Sequence, residues 1–249
     1  MTILALESSA GPVSAAVARD GVIVSSAFEN GGLTHSVTLM PMVQRVLANA
    51  GLKPAEADYI AVAAGPGSFT GLRIGAGTVK GYAWAAQRPC VGVSTLAAMA
   101  YLHRNFPGLV CPAMDARRGQ VYTAVFDTSD GTVRRVAADD AISAAELAER
   151  LKAYGRPVLF VGDGAHLALA AAAEAGIDGR MPEGDARYQS AAGVALAAWD
   201  AVCGRLSAPD AQITDADGLK LNYLRLSQAE RERLARGESL PINDVIRTT

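Results

Sequence analysis

The apolar positions of this 249-residue chain come in two rhythms, and their order outlines the fold. Short β-prone runs at 2–8 (TILALES), 13–19 (VSAAVAR) and 22–28 (VIVSSAF) are separated by AGP and DG turn signals, which predicts an antiparallel meander. A helical pattern at 35–50, stopped by Gly51 and Pro54, leads to a strand at 59–64, a helix at 70–87, a strand at 90–93 and a helix from Ser94 to His103. The second half repeats this order. Strands are expected at 109–114, 121–127, 132–137 and 158–162, and helices at 142–154, 165–175 and 189–203. Ser143 followed by Glu146 has capping-box spacing for the helix at 142–154. Two α/β lobes are therefore expected, 1–104 and 105–226, with a charged tail at 227–249 whose 227–237 stretch suits a solvated helix.

Two helices carry more apolar surface than one sheet covers. In 36–49, Val37, Leu39, Met40, Met42, Val43, Val46 and Leu47 point in nearly every direction, whereas a surface helix needs a single stripe. In the next helix Leu72, Ala76, Val79, Ala83 and Ala86 form one apolar face. Arg73, Gly77, Lys80, Gly81 and Trp84 form a second at the same steps. Interior helical glycine costs about 1 kcal/mol against alanine, so glycines beside a Trp, rimmed by Arg and Lys, indicate the close approach of another backbone. The partner face expected from this pattern comprises His35, Leu39, Met40, Val43 and Leu47 with Arg73, Gly77, Lys80, Gly81 and Trp84. The alternative is that both helices are sandwiched inside the fold.

Composition narrows the chemistry. Half the residues are hydrophobic, 19% are charged and the net charge is −2, which describes a globular chain without the basic stripe of a protein that grips RNA alone. Three scattered cysteines suit a reducing cytoplasm. The first residues lack a secretion pattern, and no apolar run has the length of a membrane span.

The loop GPGSFTG at 65–71 looks like a phosphate cradle, yet it lacks the spacing and the Lys-Ser/Thr pair of a P-loop, and the dinucleotide fingerprint fails at Thr70. Its other role is a tight strand-to-helix turn. His35, His103 and His166 show no metal-ligand spacing, and no serine has an evident His partner. Asp163 in VGDG suits a catalytic acid or, more simply, a helix N-cap. In MDARRGQVY, Arg117 and Arg118 suit an anion or the carboxylates of a neighbouring chain; alternatively they face water.

The motifs LALESS, HSVTLMPMV, IAVAAGPGSFTGLRIGAGTVKG, PCVGVSTLAAMA, MDARRGQVYTAVFD and NYLR resemble the TsaB (YeaZ) family, the dimerization subunit of bacterial tRNA threonylcarbamoyladenosine synthesis. The resemblance covers nearly the whole chain and departs at Glu7, where the family usually has Asp. It implies the actin-like ATPase fold, α/β with two ribonuclease-H-like lobes, each a mixed sheet flanked by helices. It also implies a non-catalytic scaffold without cofactor or metal. Such a scaffold pairs with TsaD through the helices at 35–50 and 70–87, reaches the ATPase TsaE through that complex, and meets tRNA only indirectly. Self-pairing through the same helices is left open. Against the metal motif of TsaD, Thr95 and Met99 stand where two histidines would, with Ala97 for the Glu. The rival functions are an ATP-binding, kinase-like enzyme of the same fold and a protease.

Overall fold

The computed structural model describes residues 1–32, 34–225 and Arg236, so most of the charged tail expected at 227–237 lies outside the described residues. Strands β1 (Thr2–Glu7), β2 (Val13–Arg19) and β3 (Val22–Glu29) form the meander, followed by α1 (His35–Asn49), β4 (Tyr59–Gly65), α2 (Phe69–Ala86), β5 (Cys90–Ser94) and α3 (Thr95–Leu102). The second half runs β6 (Leu109–Asp115), β7 (Gln120–Asp127), β8 (Arg134–Ser143), α4 (Ala144–Lys152), β9 (Val158–Val161), α5 (Ala165–Glu174), β10 (Gly179–Arg180), α6 (Ala191–Val202) and β11 (Ala211–Thr214).

The expected duplication is visible in the sheets. The first has the order β11-β5-β4-β1-β2-β3 and the second β10-β9-β6-β7-β8. In both, the meander is antiparallel and the next two strands run parallel to the first; β11 adds to the first sheet antiparallel to β5. This repeated order is that of the two ribonuclease-H-like lobes of the actin-like ATPase fold.

Two boundaries differ from expectation. The strand expected at 132–137 runs on to Ser143, so the helix expected from 142 starts at Ala144, where Ser143 Oγ accepts the Glu146 amide at 3.1 Å. Cross-strand pairing with β7 outweighs local helix propensity there. The short strands β10 and β11, two and four residues long, carry too little pattern to register in the sequence.

A single cut at residue 105 also fails to separate the packing. Along β1, Leu4 and Leu6 face α1 and α2, while Ile3 and Ala5 face α6. Along β6, Leu109, Cys111 and Ala113 face α4 and α5, while Val110 and Met114 face α3. Helix α6, from the second half, thus covers the first sheet, and α3, from the first half, covers the second. The two helices meet closely enough that a Cβ at Gly193 would stand 2.2 Å from the Ala98 carbonyl oxygen. β11 likewise returns to the first sheet. The physical reason is that α3 is buried almost all round, from Thr95 to Tyr101, and only a position between two sheets buries every side of a helix.

A cluster of ions also joins the two sheets, from β8 to the start of β11. Arg135 of β8 donates through Nε to Asp210 at 2.8 Å and pairs with Asp139, with its guanidinium over the Phe126 ring.

Candidate functional site

The glycine-rich loop packs on the β1–β2 turn. A Cβ at Gly71 would stand 2.1 Å from Ser8 O, one at Gly67 2.5 Å from Ser9 O, and one at Gly75 2.5 Å from Ser8 Oγ. Gly65, with φ +118°, lies against Asn222 O. Hydrogen bonds close the contact: Ser68 N donates to Ser9 O at 2.6 Å, and Ser8 Oγ donates to Gly71 O at 2.9 Å. From the other side His35 Nε2 bonds Ala10 O at 2.6 Å. Ser68 caps α2 by accepting the Gly71 amide. The turn and the start of α2 therefore grip one another. The sequence identified the glycines, but not Ser8 and Asn222, which explain them.

Below this contact, Glu7 is fully buried. Its Oε1 accepts the Ser9 amide at 2.5 Å, and among the described residues Oε2 has no hydrogen-bond partner. Burial above all pushes its pKa up to about 7, and the charge of Asp163 on the other lobe adds to the rise. The Asp163 carboxyl is also raised by burial. Asp163 is not the N-cap of α5, since that place belongs to Gly164; its Oδ1 accepts the Asp115 amide at 3.2 Å instead. Folding thus raises the Glu7 pKa above the unfolded value of 4.5. The protonated carboxyl is accommodated below that value, and stability falls as pH rises through about 7. In Glu7→Gln, the gain in unfolding free energy over the parent is expected to be about 2–3 kcal/mol larger at pH 8 than at pH 5. Urea unfolding at both pH values checks it; an equal difference at both would show that the charge carries no such cost.

Between the lobes lies a cleft of about 620 Å³, lined by Ser9 and Phe69 on one side and by Asp115, Arg117, Tyr122 and Asp163 on the other. At the tip of the β6–β7 hairpin, Arg117 and Arg118 hold φ of +68° and +57° and Gly119 follows at +71°. A left-handed conformation costs a non-glycine residue about 1–2 kcal/mol. Ala116 N donates to Gln120 O at 3.0 Å, and Arg225 donates to Ala116 O and Gln120 Oε1, each at 2.6 Å. The segment that ends at Arg225 crosses from the first sheet, with Asn222 N donating to Ala64 O and the Tyr223 ring 5.0 Å from that of Phe69.

A second hollow, of about 440 Å³, lies between α1 and α2. Met40, Gly77, Gly81, Tyr82 and Ala85 line it. A Cβ at Gly77 or Gly81 would meet nothing within 4 Å. Beside it stand Trp84, 79% exposed, Val37, 67% exposed, and Met40, 38% exposed.

The structure separates the residues expected on this face. Leu39, Val43 and Leu47 are buried in the core of the first sheet, because 39, 42, 43, 46 and 47 form one helical stripe. Arg73 stacks on Phe69 and its Nε donates to the Tyr223 hydroxyl, while Lys80 Nζ reaches Asp217 O at 3.4 Å. His35 holds the β1–β2 turn. Met40, Gly77, Gly81 and Trp84 remain together on the open surface. Val37 joins them, three residues before Met40, a spacing the sequence offered.

The positions compared with a metal motif are interior. Thr95, Ala97 and Met99 are all buried in α3. Among the described residues no group of three or more His, Cys, Asp and Glu side chains is placed to hold a metal ion, and no helix is long and apolar enough to cross a membrane.

The family described as "TsaD: tRNA N6-adenosine threonylcarbamoyltransferase" matches residues 29–221. The chain is 39% identical over 162 residues to the tRNA threonylcarbamoyladenosine biosynthesis protein TsaB of Bacillus subtilis, covering 65% of this chain and 71% of that one. It is 35% identical over 167 residues to TsaB of Escherichia coli, covering 66% and 72%. The solved structure of YeaZ from Pseudomonas aeruginosa superposes with a TM-score of 0.71 at 29% identity, covering 90% of this chain and 99% of that one. With this fold, these motifs and these relatives, the chain belongs to the TsaB (YeaZ) family of tRNA threonylcarbamoyladenosine biosynthesis proteins.

Proposed function

We propose that the chain is a non-catalytic subunit that pairs with a TsaD-type transferase through the α1–α2 face. In this role it supports transfer of threonylcarbamoyl from threonylcarbamoyl-adenylate to the tRNA adenosine beside the anticodon, and meets the ATPase TsaE through the same complex. The observation that carries this reading is the open apolar face: two glycines with free space above them share a hollow with an exposed Met, and an exposed Trp stands three residues further along α2. Large exposed apolar side chains around a shallow hollow are what a protein partner covers. The interior placement of Thr95, Ala97 and Met99 agrees with a subunit that leaves the chemistry to its partner.

Supplied with threonylcarbamoyl-adenylate, the purified chain alone is expected to transfer no threonylcarbamoyl to unmodified tRNA, and addition of the TsaD-type partner, TsaE and ATP to the same mixture to give the modified nucleoside and AMP, read by mass spectrometry of digested tRNA. Robust transfer by the chain alone would overturn the proposal.

A further inference from the structure

The mouth of the interlobe cleft combines charges and rings in a way the α1–α2 face does not explain. Arg117 has 84% of its side chain exposed and makes only a surface pair with Asp115 at 3.3 Å, a contact of little strength. Arg118 is exposed and, among the described residues, has neither an ion-pair nor a hydrogen-bond partner. Both sit in left-handed conformations at the tip of the β6–β7 hairpin, where Ala116 N and Gln120 N close a tight turn of the kind that calls for positive φ. Arg225 holds the hairpin from behind through Ala116 and Gln120, so the two guanidinium groups project from a braced turn. Across the mouth, Arg73 lies 3.8 Å above the Phe69 ring, which in turn packs on Tyr223. Guanidinium groups interleaved with half-buried aromatic rings form the combination that phosphates and unpaired bases bind. The floor behind them carries the carboxyls of Asp115 and Asp163. These would repel an acidic peptide reaching inward, but can accept hydrogen bonds from a neutral base.

We propose that this mouth is a direct RNA contact. Arg117 and Arg118 take phosphodiester groups of the RNA backbone, and the exposed Arg73 guanidinium, held over Phe69 and hydrogen-bonded to Tyr223, gives the plane on which an unpaired base stacks. The proposal rests on the tRNA-modification role proposed above, and replaces the purely indirect tRNA contact that the family resemblance implied.

The test is binding of a fluorescently labelled, unmodified tRNA transcript, followed by anisotropy as salt is raised, to the chain alone and to its complex with the TsaD-type partner. In the double variant Arg117→Gln/Arg118→Gln, the slope of log affinity against log salt should become shallower by about 1–2, because each lost phosphate contact removes about 0.7–0.9. Phe69→Leu, which keeps volume but removes the ring, should weaken binding about tenfold without changing the slope. Calorimetric binding of the same variants to the partner separates the two readings. Unchanged slope and affinity with partner binding intact would overturn the RNA contact and leave the proposed function standing. Loss of partner binding with tRNA binding unchanged would make the hairpin a protein contact, which also overturns it. If the parent chain fails to bind its partner, the proposed function falls, and the chain's own salt slope still decides the RNA contact.

Discussion

Gly71→Ala is expected to destabilise the protein by about 3 kcal/mol or more, while Gly77→Ala, six residues further along the same helix, leaves stability unchanged or raises it by up to about 1 kcal/mol. At Gly71 the new methyl would stand 2.1 Å from the carbonyl oxygen of Ser8. That oxygen is backbone and has no rotamer to change. The helix cannot slide aside either, since Gly67 and Gly75 lie almost as close to Ser9 and Ser8, a Cβ at either standing 2.5 Å away, and Ser8 Oγ is hydrogen-bonded to Gly71 O. Relief requires moving α2 away from the β1–β2 turn, which opens the core formed by Val79 and Ala83 against β4. At Gly77 nothing lies within 4 Å, and alanine is the better helix former. Denaturant unfolding of the two variants under the same conditions checks the contrast. Equal stabilities would show that the glycine-rich loop is not shaped by this packing.

Gly77→Arg is expected to remain folded and to lose at least about a hundredfold in affinity for the TsaD-type partner. Trp84→Ala is expected to lose about 2–4 kcal/mol of binding free energy. The arginine side chain has open space to occupy in the free protein, so the substitution acts only where a second backbone must approach the hollow between α1 and α2. Trp84, 79% exposed, offers the largest apolar area on this surface. Its burial against a partner would remove more water-exposed apolar area than that of Met40 or Val37. Isothermal titration of each variant into the partner, with thermal unfolding confirming the fold, measures both effects. Undiminished binding by both variants would sink the assignment of this face.

The parts of the molecule that follow from local periodicity were legible in the sequence. The meander, the alternation of strand and helix and the doubling of that order all follow from short-range pattern, and the sheets repeat them in register. What the sequence hid depends on which distant residues meet. The apolar positions of α1 looked too many for one sheet, yet a stripe of five residues satisfies the home sheet and only Val37 and Met40 are left outside. Arg73 and Lys80 looked like rim charges for a partner, and they contact Tyr223 and Asp217 O, more than 130 residues away. The loop glycines looked at first like a phosphate cradle, and their spacing favoured a tight strand-to-helix turn instead. Only the position of Ser8 and Ser9 shows that they make room for a neighbouring backbone. Asp163 had the look of a helix cap, and a one-residue shift of the cap to Gly164 frees it to hold the amide of Asp115.

The exchange of α3 and α6 bears on how such a chain can be assembled and divided. Each half supplies a wall of the other half's interior, so neither is expected to fold by itself, although each carries both parallel and antiparallel strands. A nascent chain that has emerged only as far as α3 would hold that helix without the sheet it covers, and would expose Leu96 and Met99 until β6 and β7 follow. Contacts of long sequence separation, such as Gly193 on Ala98, must therefore close before either core is dry. The two lobes repeat one strand order and interlock, and the lock is expected to make them unfold as a single cooperative unit.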